Sequence, residues 1–187
     1  MKKKLFFFTI ALFFFFHSGL SQSKNQIKDR KIKLSYTQIY DHRKENTNRI
    51  IYSIYDKNGN TIELKEYKQD SSFVRWEKTT YNSNSDILIS LSLGPDGQTI
   101  EKTEITYNSF EQPIEQKVTD SSNRLIETNK FEYNAYGNKT FERQYDGNLK
   151  LVSYSKFFYD NKDMLIKKET YNSKDELLYL KEIKYGY

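Results

Sequence analysis

The chain has 187 residues, 29% of them charged and 36% hydrophobic, with 7 Gly, 2 Pro and no Cys, which is room for one ordinary domain. The lack of cysteine excludes a disulfide scaffold, a thiolate metal site, a cysteine nucleophile and a lipid-anchored N-terminal cysteine. The formal charge of +5 looks basic, but part of it belongs to the first segment.

Lys2, Lys3 and Lys4 precede an almost wholly apolar run from Leu5 to Phe16, followed by His17-Ser18-Gly19-Leu20-Ser21. A basic start, a short apolar stretch and small residues at Gly19 and Ser21 read as a secretory signal, residues 1–21, cleaved after Ser21. The apolar run is too short to span about 30 Å of hydrocarbon, so no transmembrane segment is expected after cleavage. Without the signal, 27 basic residues face 25 acidic ones, a formal charge of +2. Residues 22–39 read as a basic lead-in and first strand. Lys24, Lys28, Arg30, Lys31 and Lys33 form a solvated run there rather than a nucleic-acid patch.

From residue 40 to 187 the sequence repeats. Tyrosine recurs at Tyr55, Tyr81, Tyr107, Tyr133, Tyr159 and Tyr185, a constant step of 26. Tyr67, Leu93, Thr119, Tyr145 and Tyr171 lie between them, so the series runs in alternating steps of 12 and 14. A period between about 20 and 50 residues marks a repeat architecture. Turn-forming clusters follow the markers, among them Asp56-Lys57-Asn58-Gly59-Asn60, Asn82-Ser83-Asn84-Ser85-Asp86 and Asn134-Ala135-Tyr136-Gly137-Asn138. Seven residues past each marker an apolar side chain returns, for instance Ile62, Val74, Leu88, Ile100 and Ile114; only Thr140 departs.

Segments such as Phe73–Tyr81 and Leu151–Tyr159 are rich in Thr, Tyr, Phe and β-branched residues, which favours strands. A turn in every unit would leave helices too short to hold. The predicted fold is therefore all-β: an antiparallel meander of about twelve short strands with a two-strand repeat of 26 residues. Charges fall on both alternating faces of stretches such as Thr99–Thr106, which predicts a largely single-layer, twisted or coiled sheet. The same polarity argues against a barrel in lipid, which needs a sustained apolar outer row.

The tyrosine–turn units resemble the YD-repeat (RHS-type) family, whose repeats carry Tyr-Asp-x-x-Gly. Tyr55-Asp56-Lys57-Asn58-Gly59 matches in full, and Tyr133-Asn134-Ala135-Tyr136-Gly137 matches with Asn for Asp. Tyr145-Asp146-Gly147-Asn148 is a shortened form, while Ser85, Asp163 and Asp175 stand where glycine belongs. The resemblance spans residues 40–187 and implies strand–turn repeats. In large members it implies a shell around a cargo, which a chain of this length cannot enclose.

No catalytic, cofactor or metal site is legible. His42, flanked by Asp41 and Arg43, reads as a surface residue, and no Gly-x-Ser-x-Gly elbow is present. Glu101, Glu104, Glu115, Glu127 and Glu132 read as strand-face ladders beside lysines rather than a glycosidase pair. Asp56, Asn58 and Asn60 alternate as in a calcium loop, yet the turn itself accounts for them. The remaining lead is the row Tyr55, Tyr81, Tyr107, Tyr133, Tyr159 and Tyr185, which would either staple strands or offer a ligand platform. The sequence reads as an exported, non-enzymatic structural or protein-binding module at the bacterial cell envelope or outside, in periplasm, outer surface or extracellular space. The alternative is a carbohydrate-binding surface protein using the tyrosine row. The expected partner is an envelope protein or glycan, with no cofactor and no nucleic acid.

Overall fold

The computed structural model describes residues 23–40 and 48–186. It contains one short helix, α1 (Lys24–Asp29), and twelve strands. These are β1 (Leu34–Ile39), β2 (Arg49–Tyr55), β3 (Thr61–Lys68), β4 (Phe73–Tyr81), β5 (Ile87–Leu93) and β6 (Thr99–Tyr107). They continue as β7 (Pro113–Asp120), β8 (Leu125–Tyr133), β9 (Lys139–Asp146), β10 (Leu151–Tyr159), β11 (Leu165–Asn172) and β12 (Leu177–Glu182). All twelve form one antiparallel sheet in strict chain order, open at β1 and β12 and not closed into a barrel. The all-β meander expected from the spacing is thus the observed fold.

Every hairpin after β2 is built alike. In the first, Asp56 N–H donates to the Asn60 carbonyl and Gly59 N–H to the Asp56 carbonyl, and the same pair of bonds recurs at all ten turns through Asn172–Glu176. This is a three-residue loop whose last residue takes the left-handed conformation. That residue is glycine only at Gly59, Gly97 and Gly137; elsewhere it is Ser71, Ser85, Glu111, Asn123, Leu149, Asp163 or Asp175, with φ between 59 and 70°. The non-glycine residues sit in a costly conformation, and side chains hold the turn around them. The Oδ1 of Asp56 accepts from the N–H groups of Asn58 and Asn60. Asn82, Asn108, Asp120, Asn134, Asp146, Asp160 and Asn172 repeat this double acceptance. Where that position is Lys68 or Gly94, Asp70 or Asp96 accepts one of these N–H groups instead.

A second irregularity lies just beyond each turn. Tyr55 faces Thr61 and Ile54 faces Glu63, which leaves Ile62 as an extra residue on its strand. The same shift leaves out Val74, Leu88, Ile100, Ile114, Ile126, Thr140, Val152, Ile166 and Leu178. The apolar residue seven past each marker is therefore the β-bulge of its hairpin. Bulges bend the strand and increase its right-handed twist. Ten in series, alternating between the two ends of the sheet, build twist into it at every hairpin.

Among the described residues the sheet has no second layer, and the only buried hydrophobic side chains are Ile27 and Leu93. Cross-strand contacts, each worth about 0.2–1 kcal/mol, hold it together instead. Tyr36, Tyr52, Tyr67 and Phe73 form a ladder with ring centroids 5.2, 6.2 and 6.3 Å apart. Phe141, Tyr154 and Tyr171 stack at 5.5 and 5.1 Å. Lys65 Nζ lies 3.8 Å from the Trp76 ring centre, and Trp76 Nε1 donates to Glu63 at 2.8 Å.

The lead-in holds a helical turn that the sequence reading did not include. Ser23 Oγ accepts from Gln26 N–H, and the Gln26 side chain accepts from Ser23 N–H, closing a capping box. Six residues do not hold a helix alone. Burial of Ile27 and contact with the β2–β3 turn fix this one: a Cβ on Gly59 would stand 2.4 Å from the Lys24 carbonyl oxygen.

Candidate functional site: the tyrosine border

The tyrosines at 26-residue intervals end the even strands β2 to β10, and Tyr185 lies just past β12, along one border of the sheet. The even strands β4, β6, β8 and β10 have 9 residues each, against 7 or 8 in their odd neighbours β3, β5, β7, β9 and β11. The last β3–β4 pair is Glu63 with Lys78, so Tyr81 lies beyond that pairing. Its ring turns back, and the hydroxyl donates to the carbonyl of Thr61, the first residue of β3, at 2.8 Å.

The same bond repeats down the border. Tyr107 donates to the Ile87 carbonyl, Tyr133 to Pro113 and Tyr159 to Lys139, each at 2.8 Å, and Tyr185 donates to Leu165 at 2.9 Å. At the first strand pair the Tyr55 hydroxyl shares a 2.8 Å hydrogen bond with Ser35 Oγ. Each accepting residue is also the one that faces the preceding tyrosine: Thr61 faces Tyr55, Ile87 faces Tyr81, Pro113 faces Tyr107, Lys139 faces Tyr133 and Leu165 faces Tyr159. The border is thus a relay in which one tyrosine packs beside the peptide that holds the next hydroxyl. Pro113 fits because its position needs a carbonyl and opens a strand, where a missing N–H is tolerated.

A second line of bonds joins successive turns on this border. Asn60 Nδ2 donates to Ser85 Oγ at 3.1 Å, and Asn84 Nδ2 to Glu111 Oε1 at 2.6 Å. Gln112 Nε2 donates to the Gly137 carbonyl and Asn138 Nδ2 to Asp163 Oδ1, both at 3.0 Å. Burial raises the phenol pKa of Tyr81, Tyr107, Tyr133 and Tyr159 above the usual value. The markers of the opposite border, Tyr67, Leu93, Thr119, Tyr145 and Tyr171, make no comparable series of hydroxyl-to-carbonyl bonds among the described residues.

The carboxylates singled out in the sequence are dispersed over the strands. Glu104 pairs with Lys102 at 2.9 Å, Glu115 lies 2.8 Å from Lys117 and 3.8 Å from Lys130, and Glu132 pairs with Arg143. Glu127 accepts from Asn129 and Gln144, both at 2.7 Å. Burial, with the charge of Glu127 nearby, raises the pKa of Glu101. At the candidate calcium turn both Asp56 oxygens are occupied by Asn58 and Asn60 donors. Among the described residues no three His, Cys, Asp or Glu side chains converge as metal ligands. A cleft of about 650 Å³ lies between α1 and β2, walled by Ile27, Ile32 and Ile54. His42 and the signal segment 1–21 lie outside the described residues.

The bulges and the helical turn are what sequence reasoning missed. The Ser23-x-x-Gln26 pattern could have revealed the turn. An apolar residue seven positions past each marker signals only that something repeats there.

No family model matches the chain, and no match was found among curated proteins. Among solved structures it is similar to a chain of the Photorhabdus luminescens Tc holotoxin pore carrying a TccC3 mutation, at 14% identity and a TM-score of 0.44, over 79% of this chain and 9% of that one. It is also similar to a chain in the crystal structure of TcdB2-TccC3-Cdc42, at 12% identity and a TM-score of 0.29, over 75% of this chain and 10% of that one. This protein therefore corresponds to about a tenth of the length of those chains.

Proposed function

We propose that this chain is exported, loses residues 1–21, and serves as a non-enzymatic structural or protein-binding β-repeat module at the bacterial cell envelope or outside it. The observation that carries this reading is the one-layer sheet itself, whose charged and aromatic side chains pair with one another along and across strands. Such a sheet offers two broad, regularly spaced faces for contact. Among the described residues no helix is long and apolar enough to cross a membrane.

The tyrosine row supports a stapling role over a sugar platform, because its hydroxyls are engaged within the sheet. The intact mass of the protein recovered from outside the cytoplasm tests export, and residues 22–187 are the expected form. Pull-down of that form from the producing cell's envelope fraction is expected to recover a specific protein. Retention of the Phe13–Phe16 run, or specific recovery of glycan alone, would contradict the reading.

A further inference from the structure

Among the described residues nothing caps the two outermost strands. Repeat arrays in solution normally end in a unit with a polar outer face, and edge strands normally carry charge, proline or a cover. Here all six residues of β12 are exposed, with Leu177, Leu178, Tyr179 and Leu180 between 47 and 61% accessible. At the other end, β1 exposes Leu34 at 60% and Tyr36 at 51%, and Tyr40 just past it at 54%. No strand among the described residues pairs with the outer edge of either.

The repeat itself specifies what fits the β12 edge. Within the chain every even strand before β12 receives an odd strand on this side, in nearly the same register each time. Tyr185 already makes its border bond to Leu165, as the interior tyrosines do to their partners. The odd strand with an open edge is β1. We propose that copies of this chain join end to end, β1 of one copy pairing antiparallel with β12 of another, so that the sheet runs on across the joint.

Odd and even strands run in opposite directions. Translation by the whole array therefore sets β1 antiparallel to β12 with both faces continuous. Carrying the β10–β11 register onto the joint, with β1 placed by its own register on β2, puts Leu180 opposite Tyr40 and Glu182 opposite Gln38. Lys184 then faces Tyr36 and Tyr185 faces Leu34. Leu180 meets Tyr40 and Tyr185 meets Leu34, a lysine meets a ring as Lys168 meets Phe157 across β10–β11, and no like charges oppose each other. The joint is heterologous, using two different strands, so it lengthens rather than closes.

Sedimentation velocity on the protein as purified from the producing cell tests this, across a wide concentration range. The expected result is growth in steps of one chain with no fixed upper size. Leu180→Lys and Tyr40→Glu, singly, should each weaken association at least about tenfold. The two substitutions in one chain should restore it, because lysine then faces glutamate across every joint. Gln38→Glu, which opposes Glu182, and its repair by Glu182→Lys give an independent pair at exposed positions, should the first pair disturb folding as read by circular dichroism. A monomer at all concentrations, or a species that stops at two chains, overturns the proposal. Loss of assembly with Leu180→Lys but not with Tyr40→Glu also overturns it, since that outcome indicates β12 pairing with itself.

Discussion

The hydroxyl of Tyr133 donates to the carbonyl of Pro113 at 2.8 Å, and Pro113 is the residue that faces Tyr107 across its hairpin. One peptide thus receives a ring from one repeat and a hydroxyl from the next. The bond joins β8 back to β7, and the hairpin that Tyr107 closes, β6–β7, shares that strand. Stability in this sheet passes from repeat to repeat through such shared strands, as in other quasi-one-dimensional arrays. The turns, the bulges and the border bonds all serve this coupling.

The left-handed turn residue gives a test of local strain. Leu149 holds φ of 60° with its side chain 61% exposed, so Leu149→Gly relieves strain and loses little contact. The substitution should raise stability by about 0.5–1 kcal/mol after the entropy cost of glycine. Gly59→Ala should do the reverse and more, because its Cβ meets the backbone of α1. Urea midpoints read both, and a lower midpoint for Leu149→Gly would contradict the turn assignment.

The turns also predict behaviour in acid. Burial pushes the Asp56 carboxyl up, but the Asn60 side chain, the backbone N–H groups of Asn60 and Asn58, and Lys24 together outweigh it and hold it below the ordinary 3.8. Its stabilising contribution is therefore complete above that pH and is lost as pH falls through the lower folded value. Asp70, through the Ser72 hydroxyl and N–H, and Asp120, through the Arg124 N–H, act with the same sign. Glu101 has the opposite sign, because burial beside Glu127 raises it, so protonation relieves a cost. Asp56→Asn keeps the acceptor oxygen and should flatten the fall in urea midpoint below pH about 4. Glu101→Gln should raise the midpoint at neutral pH. An unchanged acid profile in Asp56→Asn would sink this account of the turn.

The strand count, the antiparallel meander and the single layer were legible because tyrosine and turn residues keep phase for the whole array. The bulges were not legible, because Ile62, Leu88 and Ile100 look like core residues in sequence. In the structure Ile100 is 51% exposed, and Thr140 fills the same position at no structural break. That position demands a bulged backbone rather than burial. Ser85, Asp163 and Asp175 depart from the family's glycine, and all three take the left-handed conformation. The preceding Asn82, Asp160 and Asn172 side chains hold the loop for them. Of the tyrosine border, the periodicity was visible but the acceptors were not. Backbone carbonyls leave no mark in a sequence.

Alkaline titration should separate the tyrosines. The hydrogen bond to Asp175 pushes the Tyr154 phenol up to about 12, with burial and the Asp175 charge adding to it. Burial holds Tyr81, Tyr107, Tyr133 and Tyr159 above the ordinary 10.0. For groups raised in the folded state, the stabilising contribution is intact below the ordinary value and is lost as pH rises through the folded one. Phenolate absorbance should show a class of tyrosines ionising only above pH 10, together with alkaline unfolding. Asp175→Asn should bring Tyr154 down towards the ordinary value. Titration of all tyrosines together near pH 10 in the folded protein would refute the burial of the border.

The most direct test of the border as a staple is a set of urea melts on Tyr107, Tyr133 and Tyr185 variants. Tyr→Phe at Tyr107 or Tyr133 removes one hydroxyl bond and should cost about 0.5–1.5 kcal/mol. Tyr→Ala there also removes the packed ring and should cost about 1–3 kcal/mol. The same changes at Tyr185, in the last repeat and 38% exposed, should cost less, roughly under 1 kcal/mol for Ala. Equal and near-zero changes at all three positions, with loss of binding to an envelope glycan or protein, would contradict the staple and make the row a ligand platform.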